Sequence, residues 1–270
     1  MRTNDTPPRL RALVTGASSG IGEAFARELA ARGRDLVLTA RREDRLRAIA
    51  DELHAAHGID AQVIVADLAQ PEAPAWIAAE LAARGLRIDV LINNAGYGVP
   101  GSFVASEWRI HEDFMHVLVM APVHLCHLLL PGMRERGFGR IVNVASLAGL
   151  IPGTPGHTLY AAAKSWLVKF SQSLALENRA HGVEVCALCP GFTYSEFHDV
   201  TGARPKVSKM PGYLGIRADE VARRGLDAVE RGRIVFVTGY VNRTIKALFE
   251  LRPDRLALRV IARRAKQFRV

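Results

Sequence analysis

Thr15-Gly16-Ala17-Ser18-Ser19-Gly20-Ile21-Gly22 follows a short apolar run, Ala12-Val14, and leads into a segment of helical period, Ile21-Ala31. A loop that leaves a strand and enters a helix presents unpaired backbone N–H groups at the positive end of the helix dipole, where phosphate binds. Glycines at 16, 20 and 22 let the backbone come close to such an anion, with Ser18, Ser19 and Ile21 between them. The first two glycines stand further apart than in the commonest dinucleotide fingerprint.

Outward from this turn, apolar stretches rich in β-branched residues alternate with helical segments, the pattern of βαβ units and a parallel sheet. Strands are predicted at Ala12-Val14, Leu36-Thr39, Gln62-Val65, Val90-Ile92, Arg140-Val144, Val183-Leu188 and Ile234-Val237. Helices are predicted at Ile21-Ala31, Arg42-His57, Ala73-Arg84, Glu107-Leu130, Thr158-His181 and Arg217-Arg231, with Gly33, Gly58, Gly85, Gly137, Gly182 and Gly232 at their ends. The fold class expected is α/β: a Rossmann-like, doubly wound sheet of seven mainly parallel strands with helices on both faces. Residues 1–240 form one domain, with a mobile substrate loop at about 194–216 where glycines, prolines and lysines cluster. Residues 241–270 read as a basic, amphipathic helical extension.

With 270 residues, 49% of them hydrophobic, the chain can bury a sizeable core. Met1-Pro8 is polar and proline-containing where a secretory signal needs an apolar segment, and no 18 uninterrupted apolar residues occur, so a soluble, cytoplasmic protein is expected. Cys126, Cys186 and Cys189 are too few for a disulfide scaffold. Cys186 and Cys189 form a CxxC, but within a buried-strand pattern. His124 and His127 stand one turn apart with no third ligand, so no metal is expected.

The net charge is +9, and from Val241 to Val270 nine basic residues face two acidic ones. The tail therefore holds most of the excess. Leu258, Ile261, Ala262 and Ala265 share one helical stripe and Arg255, Arg259 and Arg263 another. Such a helix can lie peripherally on an anionic membrane surface, or pack on the body or on a partner subunit. No aromatic residues interleave with the arginines between 255 and 265, so no nucleic-acid partner is expected.

The second predicted strand ends in Ala40-Arg41-Arg42. An acidic residue there would bind a ribose hydroxyl and repel a 2′-phosphate, whereas two guanidiniums favour NADP(H). Arg41 is the expected contact. Further on, Tyr160-Ala161-Ala162-Ala163-Lys164 sets a phenol and an ammonium one helical turn apart, where a cation can lower a tyrosine's pKa.

The ordered set of the 15–22 loop, Asp67-Leu68, Asn93-Asn94-Ala95-Gly96, Ser146, Tyr160-x3-Lys164 and Pro190-Gly191 resembles the short-chain dehydrogenase/reductase family, over roughly Leu10 to Tyr240. The resemblance implies hydride transfer between a nicotinamide and a carbonyl or secondary alcohol, and a homodimer or homotetramer. It assigns adenine contact to Asp67 and Leu68, cleft closure to Asn94, Ala95 and Gly96, and nicotinamide contact to Pro190, Gly191, Thr193 and Ser195. Tyr160 would be the proton donor, with Lys164 stabilising the phenolate and holding the nicotinamide ribose, and Ser146 the clamp on the substrate oxygen. The gap from Ser146 to Tyr160 is one residue longer than usual. Expected substrate walls are Tyr97, Gly98, Leu147, Ile151, Thr154 and the mobile loop, which suits an apolar ketone or aldehyde; a small polar ketone or an acyl thioester is the alternative.

One departure stands out. Members usually carry a fourth catalytic residue, an asparagine at a helix kink whose carbonyl holds a water linked to the lysine; this chain has Leu118 there, and no asparagine between Asn94 and Asn143. A slower or rerouted proton path is expected. A non-catalytic, NADP-binding sensor or scaffold on the same fold is the second reading, and the intact Ser146, Tyr160 and Lys164 weigh against it.

Overall fold

The computed structural model describes residues 9–156, 158–194 and 215–251. Seven strands, Arg11–Thr15 (β1), Asp35–Ala40 (β2), Ala61–Val65 (β3), Val90–Asn93 (β4), Gly139–Val144 (β5), Val183–Cys189 (β6) and Val235–Val237, form one sheet. The order is β3-β2-β1-β4-β5-β6 and then the strand at 235–237, every pair parallel. The sheet is wound in both directions from β1, so β1 and β4 splay their connections apart and leave a crevice at their carboxyl ends.

Alternation along each strand divides the core into two layers. Ala12 and Val14, Leu36 and Leu38, and Cys186 and Leu188 face α1 (Gly20–Ala31), α2 (Glu43–His57) and α7 (Ala218–Glu230), whose Phe25, Leu46 and Val221 are fully buried. Leu13, Val37, Ile141 and Val185 face the opposite way, onto α3 (Ala73–Ala83), α5 (Ala121–Glu135) and α6 (Thr158–Asn178). Cys189, an odd number of residues from Cys186, falls on the other face with Leu167 of α6. That geometry keeps the CxxC thiols from sharing a ligand.

All six glycines predicted to end helices take φ between 61° and 73°. The helix predicted at Glu107-Leu130 is a composite: α4 (Trp108–Met115), a π-helical turn (His116–Met120), and α5, which continues through Pro131 to Glu135 because Met133 is fully buried. By length and composition alone, the run Trp108–Glu135 could cross a membrane. It lies against the sheet, with Phe114, Leu118 and Leu125 buried.

Two short strands escaped the sequence reading, as two-residue strands carry no periodicity: Thr193–Tyr194 (β7) pairs with Ile216–Arg217 (β8). They bracket residues 195–214, so most of the expected mobile loop, including Ser195, lies outside the described residues, as does the amphipathic stretch at 255–265. With the strand at 235–237 as β9, the last described helix is α8 (Tyr240–Glu250). Asn242 on α8 is buried against Gly191, where an added Cβ would lie 2.4 Å from its side chain. α8 begins at Tyr240, beside the boundary expected at 240/241.

The three cysteines are free and buried, with burial pushing each thiol up to about 12. In the folded chain at pH 8 they should ignore a thiol-specific chromophoric disulfide reagent, and all three should react after unfolding in guanidinium. Rapid labelling of native protein would contradict this packing.

Candidate active site

The phosphate loop is built as the glycine spacing demands. Gly16 and Gly20 take φ of 65° and 60°, and a Cβ on Gly22 would sit 2.2 Å from the carbonyl oxygen of Gly16. Ser19 at the N-cap of α1 makes no side-chain capping bond, leaving the first-turn N–H groups without a side-chain acceptor. Asn94 fastens the loop to the end of β4: its Nδ2 donates to the carbonyl oxygens of Thr15 (3.0 Å) and Gly16 (3.3 Å). Thr15 Oγ1 accepts from the N–H groups of Asn94 and Ala95 and donates to Ile92 O. The two strands at the winding reversal are therefore locked together under the loop, and the cradle fits a dinucleotide pyrophosphate.

Arg42 reaches over this loop, donating to Ser18 Oγ from Nε at 3.2 Å and from Nη2 at 3.1 Å. Arg41, the expected contact, is exposed at the end of β2 and close enough to Tyr97 to oppose the burial that raises its phenol pKa. Arg42 thus sits on the loop itself, and Arg41 toward Tyr97. Asp67 closes the turn after β3 by accepting from Ala69 N–H (3.1 Å), and Leu68 beside it is buried.

At the other side of the crevice β5 ends at Val144, and Ser146 caps a 3-10 turn, Leu147–Gly149, by accepting from Ala148 N–H at 3.1 Å. Leu147 N–H donates to Pro190 O (2.9 Å), tying this turn to the Pro190-Gly191 turn after β6, where Thr193 Oγ1 donates to Gly191 O (3.3 Å). A Cβ on Gly149 would lie 2.6 Å from the carbonyl carbon of Lys164. Backbone rests on backbone, and this brings Ser146 against α6. Tyr160 hydrogen-bonds with the Ser146 side chain, so the extra residue between them is absorbed in the loop, where Gly101 N–H donates to Gly156 O.

Lys164 is almost wholly buried, and Nζ donates to Val144 O at 2.7 Å while lying 5.8 Å from the centre of the Tyr160 ring. Burial pushes the ammonium down from 10.5 to about 8. Burial also raises the Tyr160 phenol, with the Ser146 hydrogen bond working against it. In the chain by itself, desolvation and not the Lys164 charge therefore sets the direction for Tyr160.

Leu118 is buried in the π-helical turn, where Ala121 N–H donates to His116 O, five residues back. The π turn forms without an asparagine. Pro122 has no N–H, so the carbonyl of Leu118 has no α-helical donor. Beneath it runs a buried polar chain that the sequence reading missed. Asn93 Nδ2 donates to Asn143 Oδ1 (2.9 Å), Asn143 Nδ2 to Ser171 Oγ (2.9 Å), and Ser171 Oγ to Leu167 O (2.7 Å). An asparagine inside the apolar run Ile141-Val142-Asn143-Val144 was the available signal.

A glycine-cradled phosphate site facing a Ser-Tyr-Lys cluster across the crevice of a doubly wound sheet defines a dinucleotide-binding α/β protein with an acid–base site. The chain belongs to the short-chain dehydrogenase/reductase family: the family model described as "short chain dehydrogenase" matches residues 11–205. It is 34% identical over 211 residues to the very-long-chain 3-oxoacyl-CoA reductase of Anas platyrhynchos, covering 77% of this chain and 66% of that one. To the 3-oxoacyl-[acyl-carrier-protein] reductase FabG of Haemophilus influenzae it is 33% identical over 237 residues, covering 86% and 96%. A solved short-chain dehydrogenase from Sphingobium yanoikuyae, in complex with NADPH, superposes with a TM-score of 0.78 at 31% identity, over 90% of this chain and 96% of the other.

Two outcomes follow from the packing. Gly149→Ala should part the Ser146 turn from α6 and lower activity at least about tenfold, since small misplacement of catalytic groups is costly; unchanged kcat would refute the contact. Lys164→Met tests the buried charge. Below pH 8 the lysine is protonated both folded and unfolded, and its burial costs about 3 kcal/mol. Between pH 8 and 10.5 only the unfolded chain keeps the proton, so wild-type stability rises with pH. Denaturant titrations should find Lys164→Met more stable at pH 7, with the gap closing by pH 10.

Proposed function

We propose that this protein is an NADP(H)-dependent oxidoreductase that reduces an apolar ketone or aldehyde to the alcohol. The observation that carries this reading is the joining of Tyr160, Ser146 and Lys164 at one end of the crevice with two arginines at the other. Bound nicotinamide would supply or accept the hydride. Gly16, Ser18, Ser19, Gly20, Ile21 and Gly22 would hold its pyrophosphate, and Arg41 with Arg42 its 2′-phosphate. Asp67 and Leu68 would face adenine, Asn94, Ala95 and Gly96 the cleft floor, and Pro190, Gly191 and Thr193 the nicotinamide.

Tyr160 donates its phenolic proton to the carbonyl oxygen during reduction, and Ser146 hydrogen-bonds that oxygen and polarises it. Lys164 lends its positive charge to the phenolate that results. No observation favours the non-catalytic reading.

Next to Tyr160 a small cavity is lined by Val99, Phe103, His111, Phe114 and Leu159, and Tyr97 packs edge-on to Phe114 at 5.6 Å. Ser102, His111 and Thr158 share this wall with the aromatic and aliphatic side chains, which supports a substrate with an apolar portion beside its carbonyl. Because the duck and Haemophilus relatives are named for 3-oxoacyl thioesters, long-chain 3-oxoacyl thioesters are the first class to try. Exposed Trp108, Met120, Trp166 and Leu176 on α4–α6 support self-association into a dimer or tetramer.

The test is NADPH oxidation, read by absorbance, over 3-oxoacyl thioesters, steroid ketones and aryl ketones. Turnover should be lost by at least about a hundredfold in Tyr160→Phe. Arg41→Ala and Arg42→Ala should each raise the KM for NADPH about tenfold while leaving NADH nearly unaffected. No turnover with any carbonyl would end the reductase reading.

A further inference from the structure

Lys164 Nζ can donate three hydrogen bonds, and among the described residues it makes one, to Val144 O. A small cavity is lined by Lys164, Asn93, Leu118, Pro122, Val144 and Thr15 among others. It measures about 10 Å³, close to the roughly 10 Å³ that a single water requires. Leu118 offers it only hydrocarbon. Thr15 Oγ1 is fully engaged, with two N–H donors and Ile92 O as acceptor.

Asn93 is different. It is 5% exposed, and its amide nitrogen is committed to Asn143 Oδ1, Pro122 O at 3.3 Å and Cys126 Sγ at 3.4 Å. The polar chain to Asn143 and Ser171 fixes which way the amide points. Its Oδ1 is buried with no hydrogen-bond partner among the described residues. Leaving a buried carbonyl oxygen unsatisfied costs about 1–3 kcal/mol, so such atoms are nearly always matched to water or a donor. Asn93, with an acceptor lacking a donor, and Lys164, with donors to spare, thus line one water-sized cavity.

We propose, resting on the reductase reading above, that Asn93 is a positioning residue for Lys164: one water in this cavity accepts from the Lys164 ammonium and donates to Asn93 Oδ1. Asn93 on β4 thereby keeps the lysine charged beside Tyr160, although the helix above contributes only Leu118.

The groups able to confuse a titration are Tyr160 on the lysine's own helix, Cys189 on β6 and Cys126 on α5 behind Asn93. Burial raises the phenol and pushes both thiols up to about 12. Between pH 6 and 10 Lys164 is therefore the one among these that changes charge.

The experiment is an NMR titration of the full chain labelled with 15N-lysine, without nicotinamide or substrate, the Lys164 signal being assigned by its loss in Lys164→Met. Asn93→Ala should lower the Lys164 pKa by about 0.5, and Asn93→Asp should raise it by about 1 through a carboxylate facing the ammonium. Asn178→Ala removes a buried amide elsewhere on α6, outside the polar chain, and should leave it unmoved. A Lys164 signal indifferent to both Asn93 variants, or equally shifted by Asn178→Ala, overturns the assignment. Should neither Asn93 variant fold, a high-resolution crystal structure of the wild type decides. A water within hydrogen-bond distance of both Nζ and Oδ1 supports the site, and a dry cavity refutes it. A wild type that titrates as described but reduces no carbonyl sinks the reductase reading alone; a competent reductase whose lysine ignores Asn93 sinks only this one.

Discussion

A primary ammonium sunk beneath the surface, resting on the carbonyl of Val144, is the constraint around which the second half of the chain is organised. Charge in a poorly solvated site is tolerated only where polar atoms face it. Each neighbouring element answers to that need. β5 stops where its last carbonyl can accept, the turn at 147–149 presses backbone to backbone on the lysine, and the glycine at 149 exists because any side chain would break that seat. Ser146 and Tyr160 meet as a by-product of the same packing.

The sheet core carries a second polar feature that hydrophobic patterning alone would forbid. Asn93, Asn143 and Ser171 cross from β4 to β5 to α6 through the apolar layer, each amide fixed by the next. Such a chain gives orientation, since an amide whose nitrogen is engaged cannot exchange its ends freely. Thr15 and Asn94 do the same on the nucleotide side, stitching the loop after β1 to the end of β4. The crevice is framed by side-chain-to-backbone bonds on both flanks, so its two halves are set by short-range chemistry rather than by loops.

Much of this was legible in the sequence, for a physical reason. Strands buried on both faces read as unbroken β-branched runs, and helix stops that need a left-handed residue read as glycine, so all seven sheet strands and six glycine stops stand within a residue or two of expectation. The composite character of the helix from 108 to 135 was not legible, because a π turn inserts one residue without changing the apolar stripe enough to be seen. Pro122 within that stripe was the visible hint. The bond from Arg42 to Ser18 was not legible either, because a guanidinium that starts a helix and one that bends back onto a loop have the same sequence. The electrostatics of Tyr160 and Lys164 were misjudged for a related reason: spacing gives proximity, but only burial tells whether desolvation or attraction prevails.

The contact between Gly191 and Asn242 has a consequence for how the C-terminal region is joined to the site. The turn after β6 and the first turn of α8 divide a single packet of space, and the Asn242 amide uses its side of it to donate to Thr238 O at 2.8 Å. Neither residue can grow unless the other shrinks. Positions 191 and 242, fifty-one residues apart in sequence, therefore behave as one side chain shared between two backbones, and the lip of the crevice takes its shape from a helix that composition alone had assigned to the tail.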